Sequence, residues 1–315
     1  MMVLSGTVKQ ALYNLRGSTN NHYRFQLHFY ATPNSKKGMA EYSTEQVLAQ
    51  PDSMLIDTVS VGVKQYMVCL ASYPSCYNSE RIATELYVLD VTQTSGPNYR
   101  IGLTLLDEEV ETEAVTYIGF FENSSSYPDF CDAERTHSIT FPSCSPNIIC
   151  VGSTAYRTGV NNYAGNYVSI NFGSDGMRAT NSSVGPSLAG LIKPDVLAPG
   201  QNIIASYSSY YSEANPASDK LEWDVERFQF QGREYSWSAQ SGTSMSSPIV
   251  GGIIACWMQA FPRLSYQDAM EAIAATSRHP DPDLSYPNNY YGYGEIDAEA
   301  GLQYLFDKYG ETDRI

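Results

Sequence analysis

Positive charge and histidine are scarce in this chain. Nineteen lysines and arginines stand against 34 aspartates and glutamates, a formal net charge of −15, and only four histidines occur in 315 residues. A phosphate-binding face needs concentrated positive charge, so a nucleic-acid partner is not expected. No apolar run reaches the roughly 18 residues of a bilayer span, so no membrane span is expected. The opening Met1-Met2-Val3-Leu4-Ser5-Gly6 has no basic stretch leading into an apolar core and does not read as a signal peptide. On sequence alone, either the protein is cytosolic or the chain begins downstream of the true start. CxxC pairs are absent. Cys69, Cys76, Cys131, Cys144, Cys150 and Cys256 show no Cys/His metal spacing, and most are expected to be free, buried thiols. What is present suits a packed globule: 43 % hydrophobic residues and only 17 % charged ones exclude a disordered chain.

The chain reads as two parts, residues 1–125 and 126–315. In the first, Tyr23, Phe25, Leu27 and Phe29 alternate with Arg24, Gln26 and His28, the period of a half-buried strand. Further runs at 65–70, 85–91, 99–106 and 114–121 are separated by turn-rich stretches such as Thr32-Pro33-Asn34-Ser35 and Thr94-Ser95-Gly96-Pro97-Asn98. This spacing predicts an antiparallel sandwich or barrel. In the second part, 147–152, 194–198 and 202–206 are short apolar runs of the kind found in buried strands. Helices are predicted from Ser244 through Trp257, after a capping-box-like Ser265-Tyr266-Gln267-Asp268, and over about 297–309. Strands mixed with helices give an α/β layer.

The segment that carries chemistry is Ser241-Gly242-Thr243-Ser244-Met245-Ser246-Ser247-Pro248-Ile249-Val250-Gly251-Gly252. A glycine turn delivers Ser244 to a helix start, where the first N–H groups lack intrahelical partners and the dipole favours negative charge. A serine so placed can attack a carbonyl while its own N–H faces the developing oxyanion. Gly251 and Gly252 leave room for a close neighbour. On spacing alone the same pattern also describes an ordinary serine N-cap ahead of a buried helix.

Gly242-Thr243-Ser244-Met245-x-x-Pro248 resembles the nucleophile motif of the subtilisin-like serine proteases, the subtilases. Four more stretches resemble the same family in the same order: Pro146–Gly152, Ser182-Ser183-Val184-Gly185-Pro186, Lys193–Gly200, and Tyr291–Asp297 with Ala300. The resemblance implies part of a mostly parallel sheet with flanking helices over 126–315. Residues 1–125 resemble the antiparallel, jelly-roll-like β-domain that some subtilases insert into this core. Ser5-Gly6-Thr7-Val8 is similar to its opening strand, and Ser138-Ile139-Thr140 to the return. It further implies a secreted or cell-envelope endopeptidase that acts on protein or peptide and needs no cofactor. Some subtilases bind structural calcium, but no carboxylate loop here marks a site.

The family's triad runs Asp, His, Ser, with the Asp in a D-[ST]-G turn and the His in H-G-T-H. Neither motif occurs in this chain. His22, His28, His137 and His279 are not followed by Gly-Thr, and Asp175 lies in Ser174-Asp175-Gly176. Asp195 matches a structural aspartate of the family, not the triad member. For the oxyanion asparagine the candidates are Asn14 and, a second poor match, Asn123; the resemblance favours an asparagine lying before Met1. Ser244, with its backbone N–H as oxyanion donor, is therefore expected to be a nucleophile without its base. Two readings follow. One is a fragment whose partner is the missing N-terminal part of the peptidase domain, with self-association through an open sheet edge expected in its absence. The other is a non-catalytic pseudoprotease serving as a binding or structural module. An unrelated hydrolase using a different base is disfavoured by five ordered motifs.

Overall fold

The computed structural model describes residues 2–5, 22–32, 34–74, 82–92, 99–107, 120–121, 136–140, 142–187 and 189–310. The chain divides into two compact units, Met1–Glu134 and Arg135–Ile315. The sequence-based boundary at 125/126 falls outside the described residues.

The first unit comprises β1 (Met2–Ser5), β2 (Arg24–Thr32), β3 (Ser35–Ser43), α1 (Thr44–Leu48), β4 (Met54–Val61), β5 (Lys64–Pro74), β6 (Ile82–Asp90), β7 (Arg100–Leu105) and β8 (Phe120–Phe121). Its strands form two antiparallel sheets, ordered β3-β2-β7-β1-β8 and β4-β5-β6. The alternation read in β2 is the core face: Phe25, Leu27 and Phe29 pack with Val68 and Leu70 of β5, Leu86 and Val88 of β6, and Ile101 and Leu103 of β7. One apolar core thus joins both sheets. The opposite face of β2 is also covered at His28, whose Nε2 lies 2.9 Å from Thr104 Oγ1. Of the run at 114–121 only β8 lies within the described residues. Three elements of this unit escaped the sequence reading: β3, α1 and β4, the last running Met54–Val61 in antiparallel pairing with β5. Strand β3 carries exposed Lys36, Lys37 and Glu41 at the edge of its sheet, the composition of a protected edge strand. Helix α1 spans barely one turn, closed by a reciprocal Ser43–Gln46 capping box.

The second unit comprises β9 (Val151–Thr154), β10 (Val160–Asn161), β11 (Tyr167–Val168), β12 (Val196–Pro199), β13 (Ile203–Tyr207), α2 (Ser209–Ala214), β14 (Asp224–Phe230), β15 (Arg233–Gln240), α3 (Thr243–Ala260), α4 (Tyr266–Thr276) and α5 (Ala298–Tyr309). It is α/β, but the parallel component is small among the described residues. Strands β9 and β12 pair in parallel, and a single parallel bridge joins Leu197 to Glu295. The expected mostly parallel sheet is therefore corrected to two strands, accompanied by an antiparallel sheet β13-β15-β14 and the β10–β11 pair. The strand expected at 147–152 also starts later, at Val151, because the Cys150 N–H is taken by the Asp195 carboxylate at 2.6 Å instead of entering a ladder.

Helices α3, α4 and α5 close over β12. Trp257 of α3 is fully buried among Val196, Ala272, Ile273, Ile296 and Leu305, and its Nε1 donates to Ala298 O at 2.9 Å. Gly301 of α5 has no room for a side chain, since a Cβ there would strike the Trp257 ring. Ser265 and Asp268 form the capping box read from the sequence.

Asp268 also ties α4 to α5. The Ser265 hydroxyl (2.6 Å), the Tyr309 hydroxyl and Lys308 Nζ (3.2 Å) converge on its carboxylate, and these donors hold its pKa well below the usual carboxylate range. A carboxyl lowered by folding contributes stability that is complete above its unfolded pKa, roughly 3.9, and is lost as pH falls through the lower folded value. In an acid titration followed by thermal melting, wild type is expected to exceed Asp268→Asn above about pH 4, with the gap closing at lower pH.

Candidate active site

Pro199 ends β12, and the chain then turns through Gly200, Gln201 and Asn202. The turn is held from several sides. Asn202 is fully buried at φ 51°, a left-handed conformation that asparagine tolerates. Its Nδ2 donates to Arg157 O (2.6 Å) and Ile170 O (2.9 Å), and its N–H donates to Ser241 Oγ (2.8 Å). Gly200 O accepts the Gly242 N–H at 2.7 Å. A Cβ at Gly200 would collide with Ser153 Oγ, Ser246 Oγ and Gly242 O, so only glycine permits this approach.

Gly242 is the second hinge. Its φ of 140° and ψ of 165° lie outside the range of ordinary residues, and α3 begins at the next residue. The Met245 N–H to Gly242 O bond of 2.9 Å closes the first turn. Ser244 is thus the second residue of an 18-residue helix, with an exposed side chain. Among the described residues no group accepts from its N–H and none hydrogen-bonds its Oγ. The helix start supplies donor capacity and a positive dipole end, as tetrahedral oxyanion stabilisation requires.

Within the second unit, neither described imidazole, His137 nor His279, hydrogen-bonds Ser244. His28 lies within the first unit's sheet, His22 is exposed, His137 Nδ1 sits 3.1 Å from Thr136 Oγ1, and His279 stacks on Tyr286 with centroids 4.0 Å apart. Asp175 sits in a turn at φ 62° with the Ser174 hydroxyl on its carboxylate. Asn14 and Asn123 lie outside the described residues.

Asp195 is buried one strand away. Its Oδ2 accepts from Lys193 Nζ and from the Cys150 N–H, both at 2.6 Å, and Lys193 Nζ also donates to Ile148 O at 2.9 Å. This ion pair clamps β12 to the chain entering β9. Burial first, and the Asp195 charge second, push the Cys150 thiol up to about 11, so it stays protonated at neutral pH. Cys144 is also buried. Cys69 is half-buried and Cys256 exposed, so of the four described cysteines two meet the expectation of burial.

Two surfaces beside Ser244 have no described partner. Val151 points its N–H and C=O away from β12, and among the described residues no backbone pairs with them. A cleft of about 190 Å³ runs along this edge, lined by Ile139, Thr140, Cys150, Gly152, Ser182 and Thr243. On α3, Ser247, Pro248, Gly251, Gly252, Ala255 and Met258 form an exposed, largely apolar face. The neighbour expected over Gly251 and Gly252 is not among the described residues: a Cβ added at either meets nothing within 4 Å. The sequence reading missed Asn202 and Gly200 as positioning residues. Their signal was an Asn two positions beyond a Pro-Gly turn, the pattern of a left-handed corner.

Two substitutions test this scaffold. Asp195→Ala leaves the Lys193 ammonium buried without its partner and is expected to cost about 3–5 kcal/mol in urea unfolding of the second unit. Gly200→Ala is expected to lower the melting temperature and weaken near-ultraviolet dichroism, because the β12 turn and the α3 start must separate.

The sequence model described as the subtilase family matches residues 122–294. The subtilisin-like protease SBT4.7 of Arabidopsis thaliana is 34 % identical over 139 residues, covering 41 % of this chain and 18 % of that protein. The serine protease AprX of Bacillus subtilis (strain 168) is 34 % identical over 168 residues, covering 53 % of this chain and 32 % of AprX. In fold, the chain is similar to the Clostridium perfringens CspB protease, with a TM-score of 0.53 at 18 % identity over 97 % of this chain and 55 % of that one. The chain therefore matches only about a fifth to a third of the length of these two curated relatives. With the glycine-hinged Ser244 helix and the matched span of more than half its length, this chain belongs to the subtilase family.

Proposed function

We propose that this chain is the nucleophile-bearing part of a subtilisin-like serine endopeptidase, with Ser244 as the nucleophile and its backbone N–H as an oxyanion donor. The observation that carries the proposal is the exposed Ser244 at the second position of α3, delivered there by the Gly200–Gly242 contact. The complete enzyme hydrolyses peptide bonds: the serine attacks the carbonyl, a histidine takes its proton, and water releases the acyl group. The Asp and His come from a polypeptide segment not encoded here. That segment fits the two surfaces without described partners, adding a strand at Val151 and packing a helix on Gly251 and Gly252. The antiparallel first unit serves as the inserted jelly-roll-like domain, and the complete protein is secreted or held in the cell envelope.

The chain alone is inactive on this reading. In subtilisin, loss of the serine or the histidine by itself costs on the order of 10⁶-fold in kcat, and an unassisted serine hydroxyl is a weak nucleophile. The absence of a described imidazole near Ser244 equally favours a second reading, a pseudoprotease that uses the scaffold for binding. A fluorophosphonate probe separates the two. Labelling is expected to be negligible on the chain alone and to rise by orders of magnitude on co-expression with a subtilase N-terminal segment containing D-[ST]-G and H-G-T-H. Ser244→Ala is expected to abolish it. A purified complex of the two segments that leaves Ser244 unlabelled would favour the pseudoprotease. Light scattering of the chain alone is expected to show self-association, which the added segment suppresses.

A further inference from the structure

Between β13 and α3 the chain makes a three-stranded sheet with a short helix over one face, and this insert borders a half-open cavity of about 170 Å³. The cavity lies between α2, which contributes Ser212 and Glu213, and strands β14 and β15, which contribute Asp224, Arg227, Glu234 and Ser236; Pro216 and Leu221 give it an apolar wall. Two features single it out. Asp224 is 1 % exposed and Ser236 6 % exposed, yet Asp224 Oδ1 and Ser236 Oγ have no hydrogen-bond partner among the described residues. Such buried acceptors are costly unless something donates to them.

The charges around them do not balance. Asp224 Oδ2 accepts from Arg227 Nε at 2.9 Å, Arg227 Nη1 reaches Glu234 Oε1 at 3.6 Å, and Arg233 Nε reaches Glu213 Oε1 at 3.4 Å. Three carboxylates thus share two guanidiniums, and one negative charge is left over. Arg233 is already stacked 3.8 Å over the Tyr210 ring, and Lys220, the other cation of the insert, lies over the Tyr211 ring and does not line the cavity. The unanswered acceptor belongs to the most deeply buried of the three acids.

We propose that this cavity binds a single primary alkylammonium group, as presented by a lysine side chain of a peptide. An ammonium brings one positive charge and three donors, enough for Asp224 Oδ1 and Ser236 Oγ together. Its methylenes lie against Pro216 and Leu221. A metal ion suits the site less, because no described group of three or more His, Cys, Asp or Glu side chains is arranged to hold one. The cavity is separate from the candidate catalytic serine. From Ser236 to Gln240 the strand covers about 14 Å, and only then does the chain turn toward Ser244. The site therefore stands whether or not Ser244 is a nucleophile.

Isothermal titration of the full chain with Nα-acetyl-lysine N-methylamide tests the site, with the norleucine analogue as the uncharged control. Saturable binding of the lysine compound alone is expected, weakened at least tenfold in Asp224→Asn and several-fold in Ser236→Ala. The serine hydroxyl has no partner among the described residues, so Ser236→Ala is expected to keep the wild-type melting temperature; it carries the test if Asp224→Asn, which disturbs Arg227, fails to fold. Equal binding of norleucine, unchanged affinity in Ser236→Ala, or displacement of the amine by equimolar potassium would overturn the proposal. So would no binding at all, which would leave the two acceptors to trapped water.

Discussion

The approach of one glycine turn to one helix start is the constraint on which the second unit depends. Gly200 begins the turn after β12, Gly242 precedes α3, and the 2.7 Å bond between them fixes where the helix begins. Neither position accepts a side chain: the first is sterically closed and the second has φ 140°. Because β12 is a buried strand and α3 a long helix packed on it, a displacement at this junction would move both. The exposed Ser244 hydroxyl inherits its position from that junction rather than from contacts of its own.

Behind the junction, polar groups do work that the small parallel sheet cannot. Lys193 and Asp195 form a buried pair that also captures Cys150 N–H and Ile148 O, so the entry to β9 is fixed by side chains. Glu295, 1 % exposed, gathers Thr154, Tyr156 (2.6 Å) and Arg278 (2.5 Å), tying β9 to the segment before α5. Burial of an ion pair rarely adds net stability but makes loss of one partner expensive. These networks therefore specify the arrangement of a two-stranded sheet whose outer edge, at Val151, pairs with no described strand.

Much of this was legible in the residues because local physics and final structure agree. The alternation of Tyr23, Phe25, Leu27 and Phe29 became the core face of β2, the Ser265–Asp268 box became the cap of α4, and Gly242–Pro248 became the start of α3. Where the reading failed, a non-local interaction decided. The strand expected from Asn147 is delayed to Val151 because Asp195, 45 residues later, takes the Cys150 N–H. Strand β3 is polar along most of its length and is defined by pairing with β2, not by its own pattern. The orphaned Asp224 and Ser236 left no local signal, since their burial arises only when β14, β15 and α2 assemble.

The central proposal is that the exposed Ser244 at the start of α3 is a nucleophile that no imidazole of this chain assists. The pH dependence of Ser244 phosphonylation in the isolated chain tests that claim most directly. Without an assisting base, the slow rate should climb about tenfold per pH unit with hydroxide and show no inflection in the imidazole range, roughly pH 6 to 7. An inflection there that disappears when His22, His28, His137 or His279 is replaced would contradict it.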